Sequence, residues 1–382
     1  MRGHISKRGN KYSFVVDIGR DPITKKRKQK RVSGFRTKKE AIQAMNKMIN
    51  EIQNGTYVEP SNDTFAEFIE SWLEHKKTTV SDSTYDFYES YTNNHIVPAL
   101  GNVKLKDIKP ITIQNFYNSL VKNSGLSLHS VAHVQRITRI ILNHAVRLKV
   151  IRENPSLDID IVKVPKKEQN VWTKDQVDKF IEAARGHIHF IAFYLAVFTG
   201  MRQGEILGLK WDCVDFENRT IYVRRALKRS NGGELKDLKN TSSYRSIAMN
   251  DLLYEEFKKH KRKQNEIKLR MGQAYNDQGF VVATKVGTFV LHSNLSRAFR
   301  LICEKIDVPE IRFHDLRHTH ASLLLSLKQH PKVVQERLGH SSIEMTMDIY
   351  SHMMPNMQKE AVKELDKLFA KNTENKKNVT NS

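Results

Sequence analysis

The chain has 382 residues, 39% of them hydrophobic, enough for two or three domains of the usual ~100–200 residues with real cores and no bias towards wholesale disorder. A formal net charge of +22 with a pI near 9.8 favours nucleic acid as partner. It does not favour a membrane: the longest apolar run, Ile188 to Phe198, is broken by His189 and is too short to cross a bilayer.

Met1-Arg-Gly-His is followed by charge and not by an apolar core, so no signal peptide is expected. Cys213 and Cys303 make neither a CxxC pair nor a framework of bridges, which points to a reducing, cytoplasmic setting. Residues 1–55 carry 15 Lys or Arg against four Asp or Glu. Phe14, Val16 and Ile18 alternate with Ser13, Val15 and Asp17, the period of a strand with a buried face. Arg8-Gly9-Asn10 and Arg20-Asp21-Pro22 are flanking turn signals. Arg27 to Phe35 reads as a second strand, and Thr37 opens a helix through about Gln53 that ends at Gly55. A strand pair plus one helix, this basic, suits contact with nucleic-acid phosphates better than a merely solvated face.

After the break at Glu59-Pro60-Ser61-Asn62-Asp63, Thr64 opens a segment that reads as helical to about residue 150. Phe65, Phe68, Ile69, Trp72 and Leu73 form a core-facing stripe. Pro98-Ala-Leu-Gly101 and Lys109-Pro110 punctuate it. In its last helix, roughly Ser127 to Leu148, the apolar side is Val134, Ile137, Ile141, Ala145 and Leu148. Arg136, Arg139, Asn143 and Arg147 fall opposite, and the three arginines with no acid among them suggest a phosphate-tracking surface. Asn154-Pro155 and Val164-Pro165-Lys166-Lys167 read as exposed linker.

A third domain begins near Trp172, capped by Thr173, with a buried apolar helix up to Thr199-Gly200. A strand-rich stretch follows: Arg219 to Arg225, a turn at Asn231-Gly232-Gly233, and Tyr244 to Met249. Helices resume from Asn250, no repeat of fixed period occurs, and the Asn-, Lys- and Thr-rich tail after Lys371 lacks the composition of a core. The expected partition is 1–58, a small sheet plus helix; 62–160, helical; 170–371, α+β; and 372–382, a disordered tail. The fold class is therefore multidomain, mainly α with small β-sheets.

Three segments of this last domain carry chemistry. In Thr199-Gly-Met-Arg202-Gln-Gly-Glu205 the glycine permits a sharp turn that aims Arg202 at whatever binds by the next helix start, and Glu205 lies where it can orient the guanidinium. Alone, an Arg-x-x-Glu is more often a surface ion pair. In His314-Asp-Leu-Arg317-His-Thr-His320-Ala321 the helical period puts His314, Arg317 and Ala321 on one face, the alanine leaving room for a ligand, with Leu316, Leu323, Leu324 and Leu327 inward. A metal site from His314, His318 and His320 is disfavoured, because offsets i, i+4, i+6 do not converge and no HExxH is present. Tyr350 follows His340 by ten residues. Cations with one phenol and no carboxylate cage suit metal-free transfer of a phosphodiester to protein.

The segments TGMRQGE, HDLRHTHA and LGHSSIEMTMDIYSH, in this order, resemble the signature boxes of tyrosine recombinases of the phage integrase family. The resemblance spans about residues 170–355, and more loosely residues 64–160, similar to the family's core-type DNA-binding domain. Residues 1–55 resemble the arm-type domain of integrases from conjugative transposons and Gram-positive phages. It implies Tyr350 as nucleophile, Arg202 and Arg317 as phosphate clamp, and His314 and His340 in support. The Lys-x-x-Ser-Ser-x-Arg pattern from Lys239 to Arg245 implies Lys239 on a β-hairpin as proton donor, with Lys236 close by as the other candidate. It further implies a 3′-phosphotyrosine intermediate, no cofactor and no metal, and a homotetramer on double-stranded core- and arm-type attachment sites, with an accessory excision or DNA-bending protein. Gln358 to Phe369 reads as an amphipathic helix docking on a neighbouring subunit or on its own. One departure stands out: Leu327-Lys-Gln-His-Pro331 replaces the glycine-containing turn many relatives have after box two, so a rearranged turn is expected. The alternatives are a type IB-like topoisomerase and a non-catalytic DNA-binding regulator.

Overall fold

The computed structural model describes residues 3–20, 24–59, 61–165, 170–229, 233–237, 244–347, 362–363 and 365–366. It divides into two compact units, 1–166 and 167–382. Lys239, Tyr350, most of 358–369, the tail after 371 and parts of three expected turns and linkers (Asp21-Pro22, Lys166-Lys167, Asn231-Gly232) lie outside the described residues.

The first unit opens with three antiparallel strands, β1 (His4–Arg8), β2 (Lys11–Arg20) and β3 (Arg27–Phe35), in that order across the sheet. The strand pair expected from sequence thus has a third member. β1 escapes a periodicity reading because its short run, His-Ile-Ser-Lys-Arg, has one apolar residue. Phe14 and Val16 are buried with Ala41 of α1 (Lys38–Gln53), which packs on β2. Thr37 caps that helix, accepting from the Glu40 N–H at 3.2 Å. Glu59 lies between Lys28 and Lys30, at 2.6 and 3.2 Å.

Thr64 then closes a capping box with Glu67 at the start of α2 (Phe65–Thr79). α3 (Asp82–Tyr91), α4 (Val97–Leu100), α5 (Pro110–Asn123) and α6 (Leu128–Arg147) complete a helical bundle. All five members of the predicted stripe, Phe65, Phe68, Ile69, Trp72 and Leu73, are buried, and they share one core with α5 and α6. On α6 three expectations need correction. Leu148 is 57% exposed, because the helix has already ended there and Lys149 turns left-handed at φ 56°. Asn154 and Ser156 are buried and not linker, since Asn154 Nδ2 donates to Asn143 Oδ1 at 2.7 Å and to the Arg139 carbonyl. For the same reason Arg139 does not stand with the exposed Arg136 and Arg147; it is half-buried and its Nη2 donates to the Ser156 carbonyl.

The second unit is built round α8 (Phe190–Thr199), buried on nearly every side and preceded by α7 (Lys174–Ala184). α9 (Gln203–Leu207) leads into a three-stranded sheet of β4 (Val214–Asp215), β5 (Thr220–Val223) and β8 (Arg245–Ala248). β6 (Arg225–Leu227) and β7 (Leu235–Asp237) form a separate antiparallel pair in which Lys236 faces Ala226. Then come α10 (Asp251–Met271), α11 (His292–Cys303), α12 (Asp315–Ser326) and α13 (Pro331–Leu338). Two predicted positions on α12 are reversed. Leu327 is 69% exposed, while Leu325 is buried. Ala321 leaves no room for a ligand; it is enclosed with Leu325, Val334 and Leu338. Among the described residues no helix is long and apolar enough to cross a membrane.

Candidate active site

Every described cation of the site is fastened to main-chain oxygen. α8 stops where Gly200 turns left-handed, at φ 65°, and the chain passes through buried Met201 to Arg202, the cap of α9. Arg202 Nη2 donates to the Gly339 carbonyl at 2.8 Å and its Nη1 to Glu205 Oε1 at 2.9 Å. From the first turn of α12, Arg317 Nη1 donates to the Gly200 carbonyl at 2.8 Å. Arg317 is thus tied to the turn that carries Arg202, and Arg202 to the turn that ends α13.

Arg317 is buried, and its Nη2 has no hydrogen-bond partner among the described residues. Burial first, and the charge of Arg202 second, push its guanidinium down to about 9, so it stays protonated at neutral pH. Arg245 also enters the cluster, with Nη2 at 2.8 Å from Glu205 Oε2. Burial alone would raise the Glu205 carboxyl, but Arg245 and Arg202 outweigh it and hold it below the usual range. Three guanidiniums around one carboxylate leave a surplus of positive charge. A buried N–H without an acceptor is costly to leave unmade, and such a place invites an anion with several oxygens.

The histidines divide by role. His340 is buried where α13 ends on left-handed Gly339, with Nδ1 2.9 Å from Thr346 Oγ1. Burial, then Arg317 and Arg202, push it down to about 3. His314 caps α12 and keeps an open edge, and its ring meets His318 edge-on at 5.5 Å. Burial of the ring, then His318 and Arg317, push it down to about 4. Both are neutral imidazoles at pH 7. His320 is taken up structurally: Nδ1 meets the Val197 carbonyl at 2.8 Å and Nε2 accepts from Arg337 Nε at 3.2 Å. With both nitrogens engaged it has no lone pair for a metal, and among the described residues no three His, Cys, Asp or Glu side chains gather as a ligand set.

Of the predicted set, Arg202, His314, Arg317 and His340 come from segments that meet round Glu205 and the 337–340 turn; Lys239 and Tyr350 lie outside the described residues. Arg136, Arg139 and Arg147 belong to α6 of the other unit. Sequence reasoning gave no role to Arg245, Arg337 or Thr346. Arg245 had a signal, as the last member of the quoted Lys-x-x-Ser-Ser-x-Arg pattern. The other two had none, since Arg337 acts through the His320 ring and the Ala248 and Phe198 carbonyls, and Thr346 through the His340 ring.

Comparison with known proteins follows the same segments. Residues 170–357 match the Phage integrase family, 64–121 the Phage integrase N-terminal SAM-like domain, and 4–52 an Arm DNA-binding domain. A Tyrosine recombinase XerC-like protein of Caldanaerobacter subterraneus subsp. tengcongensis is 33% identical over 379 residues, covering 94% of this chain and 96% of its own. The ICEBs1 integrase of Bacillus subtilis is 28% identical, covering 94% and 97%. Among solved structures, the Tn1549 transposon integrase in complex with transposon right end DNA shares the fold at a TM-score of 0.67 and 22% identity, over 79% of this chain and 99% of that one. A lambda integrase tetramer bound to a Holliday junction does so at 0.58 and 19%, over 91% and 94%.

Proposed function

This chain belongs to the phage integrase family of tyrosine recombinases, enzymes that cut and rejoin DNA at specific sites, and from that premise we propose how its residues do so. Tyr350 Oη attacks the scissile phosphorus in line, a P–O bond to Tyr350 forms and the P–O5′ bond breaks, leaving a 3′-phosphotyrosine and a free 5′-hydroxyl. Arg202 and Arg317 hold the non-bridging oxygens, with the unpartnered Arg317 Nη2 aimed at one of them; that buried, anion-seeking nitrogen is the observation that carries the reading. A planar fork fixed before the reaction stabilises the charge at no cost in reorganisation.

His314, held neutral, accepts the phenol proton. If the Thr346 hydroxyl donates to Nδ1, His340 carries its proton on Nε2 and donates it to a phosphate oxygen. Lys239, or Lys236 on β7, gives the leaving 5′-oxygen its proton. Ester energy is kept in the covalent link, so religation to another strand needs no cofactor. We further read residues 1–58 as the arm-site domain, 62–160 as the core-site domain with Arg136 and Arg147 on phosphates and Arg139 as scaffold, and 170–371 as the catalytic domain. The working assembly is a homotetramer on DNA in the host cytoplasm, serving integration of a mobile element and its excision with an accessory protein. The three matched segments support recombination over plain relaxation or regulation without catalysis.

A nicked duplex that loses its 5′-hydroxyl strand on cleavage tests the chemistry. The wild-type protein should be trapped covalently in EDTA, and Tyr350→Phe should give no adduct. Persisting adduct in Tyr350→Phe would refute the nucleophile.

A further inference from the structure

Arg245 has no place in the reaction just described, yet its side chain is enclosed within the same cluster. Its side chain is 6% exposed, against 36% for Arg202. Its Nε donates to the Arg337 carbonyl at 2.8 Å, and both terminal nitrogens go to Glu205, Nη1 to Oε1 at 3.2 Å and Nη2 to Oε2 at 2.8 Å. Glu205 in turn accepts at Oε1 from Arg202 Nη1 and at Oε2 from the Arg202 N–H, each at 2.9 Å. One buried carboxylate thus stands between two guanidiniums, one closed off from any ligand and the other open.

We propose that Arg245 is a positioning residue for the phosphate clamp: it pairs with the charge of Glu205, so that Arg202 is oriented by that carboxylate without being neutralised by it. The proposal rests on the assignment of Arg202 to the scissile phosphate. One carboxylate balances one guanidinium, and the two-pronged fork of Arg245 is the better match, because both its prongs reach the carboxylate while Arg202 brings one prong and its backbone N–H. Without Arg245, Arg202 is, among the described residues, the cation left in contact with a carboxylate that cannot reach water. It would turn fully onto Glu205, and its charge would be lost to the DNA. Arg245 also grips the turn that Arg202 uses, through the Arg337 carbonyl, two residues before the Gly339 carbonyl that holds Arg202 Nη2.

The test uses full-length protein and single-turnover trapping on two nicked duplexes, one with the natural phosphodiester and one with a methylphosphonate at the scissile position. The second has a methyl group in place of a charged oxygen, so it needs less neutralisation. Arg245→Met should slow trapping on the phosphodiester by about 100-fold, comparable with loss of a fixed donor, and slow the methylphosphonate reaction by about tenfold or less. Arg245→Lys, which keeps the charge but not the fork, should fall between them. The ratio of the two rates is unaffected by the fraction of protein that folds, so a merely structural loss leaves it at the wild-type value. An unchanged ratio, or full speed on the phosphodiester, overturns the proposal. Failure of the wild-type protein to trap either duplex would instead count against the recombinase chemistry itself.

Discussion

A Cβ on Gly200 would lie 2.5 Å from Leu338 Cδ2 and 2.7 Å from His320 Cδ2, at a backbone φ of 65°. Left-handed strain and overpacking add, so Gly200→Ala should lower stability by about 2–4 kcal/mol, read from the denaturant midpoint. The same shift moves the carbonyl that holds Arg317, so covalent trapping should fall even among molecules that remain folded. Normal trapping by a destabilised Gly200→Ala protein would show that this carbonyl does not set the arginine. Gly200 is also the residue at which sequence reasoning was soundest, since its role needs only local geometry: a helix must stop, and the chain must turn tightly before Arg202. What a sequence cannot show is that Leu338 and His320, far along the chain, close over the same point.

Helix α12 shows the opposite case. Its end is a Schellman turn, with the Lys328 N–H donating to the Leu325 carbonyl and the Gln329 N–H to the Leu324 carbonyl. Lys328 fills the left-handed position, φ 60°, where glycine is the usual occupant. The rearranged turn expected from the missing glycine is therefore not formed: the turn keeps the glycine-type geometry with lysine in the strained position. Lys328→Gly should raise stability by about 0.5–1 kcal/mol, the strain relieved exceeding the added freedom of the unfolded chain; a lower melting midpoint would contradict it. Leu316, Leu323 and Leu324 pack inward as expected, whereas Leu327 was misplaced and Leu325 missed, because α12 is apolar on several sides. Leu316 belongs to the main core, whereas Ala321 and Leu325 belong to a second cluster with Val334 and Leu338. A single stripe cannot be read from a helix that serves two cores. Helix α2 serves one, and its five apolar positions were all legible.

The fold as assembled resists protons. His320 and His340 are pushed down to about 3, from an ordinary 6.5, in each case by burial first. Above pH 6.5 these rings are neutral whether the chain is folded or not. As pH falls below that value the unfolded chain takes up protons that the native state refuses, so stability declines progressively towards the folded values. Glu205, held below the usual carboxylate range chiefly by Arg245 against the effect of burial, adds to the loss at still lower pH. The melting midpoint should therefore drop between pH 7.5 and 5, and a flat profile would contradict the burial of these rings. The order of the three matched segments was readable from charge, period and the three boxes; the anchors of Arg202 and Arg317 were not, because they are carbonyl groups, alike at every position. Since Gly339 and Gly200 hold the proposed clamp through those carbonyls, what these two turns supply is the path of the backbone and not a charge. Inserting or deleting a single amino acid in either turn should disarm the enzyme with every charged group still in place, so the length of these stretches matters as much as their glycines.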